Sequence, residues 1–476
     1  MLFRQIFDSA LAQYTYLVGC QRTGEAIVVD PERDVDRYLA AAEAEALTVT
    51  AVTETHVHAD FLSGARDLGE RASAIVYLSD AGDDEEWRYR WPNGGPHVEL
   101  LTDGDSFEVG KIRFDVLHTP GHTPEHACFL ITDVGGGAGE PMGMLSGDFL
   151  FVGDLGRPDL LESAAGAVGA MKPAAARLWE STHRLDDFAA HLQIWPGHGA
   201  GSACGKALGA VPVSTLGYER RFNAALALAE RGRTAFVDGI LEGQPEPPLY
   251  FARMKRQNRD GVPAPRDLAP PAPLDTSSVA AATAGGAVLV DCRDDRSAFL
   301  AAHWPGSLWA PWGGADFLSI VGSYVEPEQE IVLAAAPGEA EPIARALYRI
   351  GLDRIAGLLP LGELPTLLEI ERVETDSVDW EAVEAALGSD GQLVLDVRRQ
   401  AEFASGSVPG AANIAHTRLR ARLDELPRDK ELLVHCQSGF RATAASAFLE
   451  QQGFRVRHIG APFADWQRTA ALDSDT

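Results

Sequence analysis

Four short segments in the N-terminal half of the chain carry the histidines and aspartates of a potential metal site. The first, Thr55-His-Val-His-Ala-Asp60, follows the apolar run Val49 to Val52. Downstream come His118-Thr-Pro-Gly-His122, Ser146-Gly-Asp148 and Pro196-Gly-His198. Each follows a short apolar run and lies beside Gly or Pro, which is typical of loops along one rim of stacked sheets. Imidazoles spaced i, i+2 at a strand end can converge on a metal, so four such segments in order predict a metal site.

A second reactive segment, Cys436-Gln-Ser-Gly-Phe-Arg441, lies in the C-terminal part of the chain. It follows a predicted strand, Glu431 to Val434, and precedes a predicted helix, Ala442 to Gln451. Such a loop points its backbone N–H groups inward, and the helix N-terminus adds partial positive charge, so the thiolate and the persulfide of Cys436 would both be stabilised. Gly439 permits the tight loop, and Arg441 is suited to hold an anion such as thiosulfate or sulfite. The segment predicts a reactive thiolate beside an anion-binding loop.

Length and composition limit what the rest of the chain can be. At 476 residues it is too long for one ordinary domain, and its 46% hydrophobic content suits globular cores. Its formal net charge of −28 excludes a nucleic-acid binder, which needs a basic face, and disfavours binding to anionic membranes. No apolar run reaches the ~18 residues that span a bilayer, and the start, Met1 to Gln5, does not resemble a signal peptide. We therefore expect a cytoplasmic protein.

The five cysteines are few and widely scattered, which is typical of a reducing compartment and not of a disulfide framework. Cys20, Cys128 and Cys292 lie inside or beside apolar runs, so we interpret them as small buried core residues.

The first 244 residues alternate short predicted strands and helices, a pattern compatible with an αββα sandwich. Strands are predicted at Ala26 to Asp30 and at Lys111 to Leu117, the second with apolar residues alternating on one face. Helices are predicted from Pro173 to Glu180 and from Phe222 to Arg231. The proline-rich segment 245–273 is interpreted as a linker with one short helical turn.

Beyond this segment the sequence repeats itself. Val288-Leu-Val-Asp-Cys-Arg matches Leu393-Val-Leu-Asp-Val-Arg, and Ile331-Val-Leu-Ala-Ala-Ala matches Leu432-Leu-Val-His-Cys-Gln. Two copies of one α/β unit of about 100 residues, each with a parallel sheet, explain the pattern. We call residues 274–370 the first repeat and residues 371–476 the second repeat. An ungapped alignment puts Ala335 at the position of Cys436 and Ala340 at that of Arg441. We therefore expect the first repeat to be catalytically inactive.

The order of the four metal-site segments resembles the metallo-β-lactamase superfamily, over about the first half of the chain. Dinuclear members carry His-x-His-x-Asp-His, whereas the last position here is Phe61, which cannot ligate. The resemblance therefore implies one metal, with His56, His122 and Asp148 carried over by motif position as its ligands. Two imidazoles and one carboxylate form the ligand set of non-haem Fe(II) oxygenases, and the mononuclear members that this pattern resembles are persulfide dioxygenases. Zinc used for hydrolysis remains the alternative.

Both repeats resemble the rhodanese domain, and the second does so more fully through Asp396-Val-Arg, Pro409-Gly-Ala-Ala-Asn-Ile and its Cys-x4-Arg loop. Protein tyrosine phosphatases use a similar loop that is one residue longer, so the resemblance favours sulfur transfer over dephosphorylation. The whole arrangement resembles the bacterial persulfide dioxygenase–sulfurtransferase fusions. It implies an α/β protein that consists of an αββα metallo-β-lactamase domain (residues 1–244), the linker (245–273), an inactive rhodanese-like domain (274–370) and an active rhodanese domain (371–476).

The same resemblance suggests roles for further residues of the first domain. Arg157 and Arg220 match residues that line the pocket for the thiol carrier, a task suited to the planar fork of arginine, which binds carboxylates. A structural salt bridge remains the alternative for each. Cys204, in a Gly/Ser-rich loop, would relay sulfur from the carrier, form an inactivating disulfide or serve a structural role. Three residues on the side of the missing second metal would orient ligands through hydrogen bonds; they are His58, Asp60 and His198.

The implied reaction has two parts. A low-molecular-weight persulfide and dioxygen would give sulfite at one Fe(II) per chain, and sulfite would then take the sulfur of a Cys436 persulfide to give thiosulfate. Linkage in one chain raises the effective concentration of sulfite near the second site. The carrier thiol, the direction of transfer and self-association through the first repeat stay open. Two other functions also stay open: a zinc hydrolase of thioesters or lactams with an appended sulfurtransferase, and a non-enzymatic sulfur-binding sensor.

Overall fold

The computed structural model describes residues 1–82, 87–163, 168–262, 269–314 and 316–474. The chain divides into two compact units. The first comprises Met1–Arg266 together with Tyr348–Gly351, and the second comprises Asp267–Leu347 together with Leu352–Thr476. Among the described residues, no helix has both the length and the apolar character needed to cross a membrane.

Two six-stranded mixed sheets form the centre of the first unit. The first sheet has the order β1-β2-β3-β4-β5-β6, with antiparallel pairing up to β3 and parallel pairing from β3 onwards. The second has the order β12-β11-β10-β9-β8-β7, in which only β10 and β11 are parallel. The strands are β1 (Leu2–Asp8), β2 (Gln13–Cys20), β3 (Glu25–Val29), β4 (Thr48–Thr53), β5 (Ile75–Ser79), β6 (Val98–Leu101), β7 (Ser106–Val109), β8 (Ile112–His118), β9 (Ala127–Thr132), β10 (Gly143–Gly147), β11 (Gln193–Pro196) and β12 (Ser214–Thr215).

Helices cover the outer face of each sheet, which gives four layers. They are α1 (Asp36–Ala44), α2 (Ala65–Ala72), α3 (Leu160–Ser163), α4 (Met171–Thr182), α5 (Leu216–Phe222), α6 (Ala224–Ala229), α7 (Arg233–Leu241) and α8 (Phe251–Asp260). A buried core between the sheets joins side chains such as Tyr16 and Ile27 to Phe114 and Phe129. Separate cores lie under α1 and α2 and under α4 to α7. The expected αββα sandwich is thereby confirmed.

The predicted elements of this unit are present with shifted ends. Strand β8 buries Ile112, Phe114 and Val116 on one face, as the alternation predicted. Helix α4 begins at Met171, two residues before Pro173. Proline is tolerated at this position because the N–H groups of the first helical turn have no partner within the helix. The predicted helix from Phe222 is interrupted because the side chain of Asn223 caps α6, accepting from the N–H groups of Ala225 and Leu226.

The segment interpreted as a linker differs more from expectation. Residues 251–260 form the ten-residue helix α8, which buries Phe251, Met254 and Asn258, and they belong to the first unit. Three prolines before this helix and several after it gave the appearance of an unstructured connection, but the helical stretch between them contains no proline. Residues 263–268 of the interpreted linker lie outside the described residues.

The second unit contains two wholly parallel sheets, one in each repeat. The first repeat has the order β14-β13-β15-β16, and the second has β19-β18-β20-β21-β17. The strands are β13 (Val288–Asp291), β14 (Leu308–Trp309), β15 (Ile331–Ala335), β16 (Ile355–Pro360), β17 (Ser377–Val378), β18 (Gln392–Asp396), β19 (Ala412–Asn413), β20 (Glu431–His435) and β21 (Arg455–Ile459). The remaining helices of the chain are α9 (Thr276–Ala284), α10 (Arg296–Ala301), α11 (Phe317–Tyr324), α12 (Ala340–Arg349), α13 (Leu364–Ile370), α14 (Trp380–Ala386), α15 (Gln400–Ala404), α16 (Phe440–Gln451) and α17 (Phe463–Ser474).

The register of the strands matches the repeat seen in the sequence. Val288 pairs with Ile331 in the first repeat, and Leu393 pairs with Leu432 in the second. These are the residues that the sequence alignment equates. The position of Cys436 is therefore taken by Ala335 in the first repeat, and a methyl group cannot carry sulfur.

Candidate metal centre and sulfur-transfer loop

The four metal-site segments meet at one rim of the first unit. His56 and His58 follow β4, His122 lies between β8 and β9, Asp148 follows β10 and His198 follows β11. All five side chains are buried. This is the arrangement expected when loops leave neighbouring strands at the same edge of two stacked sheets.

One carboxylate oxygen lies at the centre of the cluster. Asp148 Oδ2 is 3.4 Å from His122 Nε2, 3.5 Å from His198 Nε2 and 3.9 Å from His56 Nε2. One ligand atom each of His56, His122 and Asp148 lies within 4.8 Å of the others. The three residues that the resemblance nominated as ligands are thus brought together.

Hydrogen bonds on the far side of each ring decide which nitrogen faces the cluster. His122 Nδ1 donates to the carbonyl of Arg157 (3.0 Å), and His198 Nδ1 donates to that of Ala12 (3.2 Å). His56 Nδ1 lies 2.9 Å from Thr55 Oγ1, whose own hydroxyl donates to Asp30 Oδ2 (3.0 Å). Because Nδ1 carries the proton in each ring, the Nε2 lone pairs face the cluster.

The protonation of the cluster also suits metal binding, because metal ligands must be neutral imidazoles and ionised carboxylates. Burial lowers the pKa of His122 to about 4 and lowers those of His56 and His198, so the imidazoles are neutral. Burial raises the pKa of Asp148 to about 6. Both carboxylate oxygens of Asp148 and Nε2 of His198 are buried without a hydrogen-bond partner among the described residues. Buried polar atoms left unpaired are costly, and a cation would satisfy them.

The backbone of Gly197 packs closely against the Asp148 carboxylate. A Cβ atom added to Gly197 would lie 2.7 Å from Asp148 Oδ1. The close approach of this backbone requires glycine, and it keeps the carboxylate in place from the side opposite the imidazoles. The donor set, its protonation and its packing all fit one metal ion held by His56, His122 and Asp148.

A second group of potential ligands lies on the side of the missing second metal, where we expected Asp60 and His198 but not Cys204. Asp60, His198 and Cys204 bring one ligand atom each to within 4.8 Å of one another, and His198 Nε2 is 3.3 Å from Asp60 Oδ2. Both oxygens of Asp60 lack hydrogen-bond partners among the described residues, whereas we predicted a hydrogen-bonding role. Phe61 is buried against the ring of His58, at 4.4 Å between centroids, and supplies no donor there. Cys204 occupies this side instead.

His58 faces away from these donors. Its Nε2 lies 3.1 Å from Asp30 Oδ1, and although burial opposes it, the Asp30 carboxylate raises the pKa of His58 to about 9. His58 therefore donates to Asp30, which in turn accepts from Thr55. This geometry agrees with the supporting role expected for His58.

Sequence analysis missed three residues that hold this site together. Asp30 accepts from the backbone and the hydroxyl of Thr55, and it is one of few non-glycine residues with positive φ (+53°). His126 Nε2 accepts from the N–H of Asp148 (3.0 Å). The side-chain nitrogen of Asn258 on α8 donates to the carbonyls of His58 and Phe61 (both 2.7 Å). Only His126, four positions after His122, carried a signal in the sequence.

The two arginines expected at the carrier pocket make structural contacts. Arg157 is fully buried, and its guanidinium donates to Asp159 and to the carbonyls of Ala203 and Pro245. Arg220 donates to the carbonyls of Leu185 and Phe188 beside a small pocket. Carrier binding by either residue stays a prediction. The contact of Arg157 with Ala203 instead supports the loop that presents Cys204, whose thiol pKa is raised by burial and by Asp60 and Asp148.

The loop that follows β20 has the expected form. Cys436 is buried, and its Sγ accepts from the N–H of Ala442 (3.4 Å) in the first turn of α16. Gly439 caps that helix with φ of +86°, a conformation that favours glycine. Arg441, expected to hold an anion, forms a bidentate pair with Glu402 (2.7 and 2.8 Å). The pair lowers the pKa of Glu402, although burial opposes this.

The hydroxyl of Thr55 offers a test of the contacts behind the metal cluster. Thr55→Val removes the hydrogen bond that orients His56 while keeping the side-chain volume, and we expect metal affinity to fall by ~10–100-fold. Metal titration of the apoprotein measures the change. Thr53→Val is the matched control, because Thr53 ends β4 two positions before Thr55 and its hydroxyl donates to the carbonyl of Tyr77. Equal affinities of the two variants would contradict the assigned role.

Comparison with known proteins defines the class. Residues 9–198 match the Metallo-beta-lactamase superfamily, and residues 379–469 match the Rhodanese-like domain. The solved structure of a metallo-beta-lactamase from Staphylococcus aureus subsp. aureus COL is 39% identical, covers 76% of this chain and 99% of that chain, and has a TM-score of 0.65. The chain belongs to the metallo-β-lactamase superfamily and carries a rhodanese-like domain in its C-terminal part.

Two curated relatives bear on the activity. The mitochondrial persulfide dioxygenase ETHE1 of Bos taurus is 26% identical over 270 residues, which are 56% of this chain and 91% of that protein. Hydroxyacylglutathione hydrolase of Rhodospirillum rubrum is 30% identical over 185 residues, which are 39% of this chain. The chain spans only 61% of that hydrolase and 45% of a further curated relative.

Proposed function

We propose that the first unit is a non-haem Fe(II) dioxygenase that oxidises a low-molecular-weight persulfide to sulfite, and that the second repeat is a sulfurtransferase that converts sulfite to thiosulfate. The observation that carries the proposal is the buried set of His56, His122 and Asp148, whose ligand atoms face one another. The likeness to persulfide dioxygenase over 91% of that protein supports the substrate class. The Cys436 loop on the same chain supports the coupled second reaction.

In the oxidation, one persulfide, one dioxygen and one water give a thiol, sulfite and two protons. Bound Fe(II) would supply the redox chemistry that joins oxygen to the terminal sulfur. The chain positions the ligands for this reaction: Thr55 and the carbonyls of Arg157 and Ala12 fix the imidazole rings with Nε2 inward. Burial of the cluster keeps bulk water from the reacting sulfur.

In the transfer, Cys436 first takes the terminal sulfur of a second persulfide, and the carrier leaves as its thiolate. Sulfite then attacks that sulfur with its lone pair, the new S–S bond forms, and the bond to Cys436 breaks so that its thiolate is released. No external oxidant is needed. The N–H of Ala442 and the positive end of α16 stabilise negative charge on Cys436 in both steps.

Metal analysis with oxygen uptake tests the first reaction. We expect protein purified without air to contain one iron per chain and to consume one dioxygen for each sulfite formed from a persulfide. Chelation of the metal should abolish uptake, and Fe(II) should restore it. Two tightly bound metals per chain, or iron without oxygen uptake on any of a panel of persulfides, would contradict the proposal.

A zinc-dependent thioester hydrolase is the second candidate. It is favoured by the donors Asp60, His198 and Cys204 beside the first set, and by the likeness to hydroxyacylglutathione hydrolase. Tetrahedral sites of carboxylate, imidazole and thiolate suit zinc. Zinc content with turnover of S-lactoylglutathione, and no oxygen uptake on persulfides, would establish this candidate in place of the dioxygenase.

A further inference from the structure

The loop of Cys436 is packed against residues of the first repeat within the second unit. Phe440, which begins α16, lies 4.9 Å from the ring of Trp309. Phe299 and Trp309 share a buried cluster with Ala447 of α16. Tyr324 stacks on Phe448 with 4.6 Å between ring centroids. The helix that follows the reactive cysteine thus has one face covered by the repeat that lacks a cysteine.

Arg296 carries positive charge from the first repeat onto the loop itself. Its guanidinium donates to the carbonyl of Ser438 (2.6 Å). A Cβ atom on Gly439 would lie 2.3 Å from Arg296 Nη1, so the guanidinium rests directly on the backbone of Gly439. Among the described residues, this is the one hydrogen bond that Arg296 makes, and its other N–H groups remain available to an anion. Arg441 differs, because it forms a bidentate ion pair with the Glu402 carboxylate, which neutralises its charge.

Tyr324 supplies the second polar group. The side chain is buried, and its hydroxyl has no hydrogen-bond partner in the described part of the chain. Its ring stacks on Phe448 of the helix that follows Cys436, and burial together with the charge of Cys436 raises the pKa of the phenol. An unsatisfied buried hydroxyl requires an acceptor. The candidate acceptor is a sulfur atom carried on Cys436.

The acidic groups near the Cys436 loop interact with Arg441. Glu402 pairs with Arg441, and Asp316 of the first repeat also raises the pKa of that arginine, against the effect of burial. Burial lowers the pKa of His458 to about 4, and the nearby charge of Arg296 contributes, so this imidazole is neutral. Arg296 is therefore a cation beside this loop that forms no ion pair with a carboxylate among the described residues.

We propose that the first repeat completes the sulfur-transfer site of the second: Arg296 binds the sulfonate oxygens of thiosulfate or the oxygens of sulfite, and Tyr324 donates a hydrogen bond to the sulfur held on Cys436. The inference rests on the proposed sulfurtransferase activity and names its anion-binding residue. With thiosulfate as donor, the Cys436 thiolate attacks the outer sulfur, an S–S bond forms to Cys436, and the bond to the sulfonate breaks. Sulfite leaves with the electron pair, beside Arg296.

The full-length chain tests this assignment in a thiocyanate-forming assay, with cyanide as acceptor and thiosulfate as donor. We expect Arg296→Ala to raise KM for thiosulfate at least ~10-fold with kcat changed less than about twofold, because a lost ion contact to the bound anion mainly weakens binding. Arg296→Lys should recover part of the loss. With cysteamine persulfide, a donor that has no sulfonate, KM should stay within about twofold. Arg354→Ala is the matched control, since Arg354 forms an exposed ion pair with Glu330 in the same repeat.

Tyr324→Phe tests the second group by removal of one oxygen atom. We expect less persulfide on Cys436 at equilibrium with thiosulfate, measured by mass spectrometry of the intact protein, at an unchanged melting temperature. An unchanged KM for thiosulfate in Arg296→Ala, or an equal rise for both donors, would overturn the assignment of Arg296. Full persulfide occupancy in Tyr324→Phe would overturn that of Tyr324. Transfer that survives Cys436→Ser would instead overturn the proposed function, so the two failures are distinguishable.

Discussion

Replacement of His122 by alanine is expected to remove bound iron and to lower persulfide-dependent oxygen uptake by more than ~100-fold. The reason is the geometry of the cluster: His122 Nε2 lies 3.4 Å from Asp148 Oδ2 with its lone pair inward, and two donors alone cannot hold the metal. Loss of a group that only orients a metal ligand already lowers metal affinity or activity by ~10–100-fold. Iron analysis and an oxygen electrode measure both quantities.

The control for this variant is another histidine of the same unit. His191 is exposed and lies 3.6 Å from Glu140. His191→Ala should keep iron and activity. Circular dichroism of His122→Ala should show a folded protein, because the removed ring leaves the cores of the two sheets untouched. Iron and oxygen uptake close to those of the unaltered protein would refute the ligand role of His122.

The exchange Cys436→Ser should separate the two reactions. We expect thiosulfate to fall to background while sulfite accumulates in step with oxygen consumed, since serine cannot form a persulfide. Ion chromatography of sulfite and thiosulfate measures the products.

Cys20→Ser serves as the control for this exchange, because Cys20 lies in the first unit and its Sγ accepts from the N–H of Lys111, a contact that a serine oxygen can also make. Thiosulfate output that is undiminished in Cys436→Ser would show that the second repeat takes no part.

Much of the fold could be predicted because short sequence patterns indicated its strands and its repeated units. The alternation in β8 and the matching strands of the two repeats both reappear in the structure, the latter in the same register. These elements depend on residues close together in the chain. Helix α8 was missed because prolines on both sides suggested a connection, whereas burial of Phe251 and Met254 decides its place.

The residues of the metal site that lie in recognisable motifs could be predicted from the sequence. His56, His122 and Asp148 each follow a strand, and parallel or adjacent strands bring their ends together. The prediction that the second metal position lacks a donor relied on Phe61, although Asp60 and His198 were expected on that side. Cys204 comes to that side from a distant loop held by Arg157, and only the fold brings it there.

The sulfur-transfer loop illustrates a limit of another kind. Its motif identifies Arg441 as the cation, but the motif contains no information on what that cation binds. Glu402 lies in α15, well before the loop in the chain, and it neutralises Arg441. In our proposal the role of anion ligand falls to Arg296, which lies in the first repeat and outside the Cys-x4-Arg loop.

The side chain of Asn258 sets a lower limit on the size of an autonomous first unit. One amide on α8 binds the carbonyls of His58 and Phe61 and accepts from the N–H of Ser63. The segment that carries the first histidines is therefore held by hydrogen bonds to a residue about 200 positions later in the chain. A protein truncated at residue 244 would keep every nominated ligand yet lose these hydrogen bonds, so we expect the proposed activity of the first unit to need residues beyond the last ligand-bearing loop.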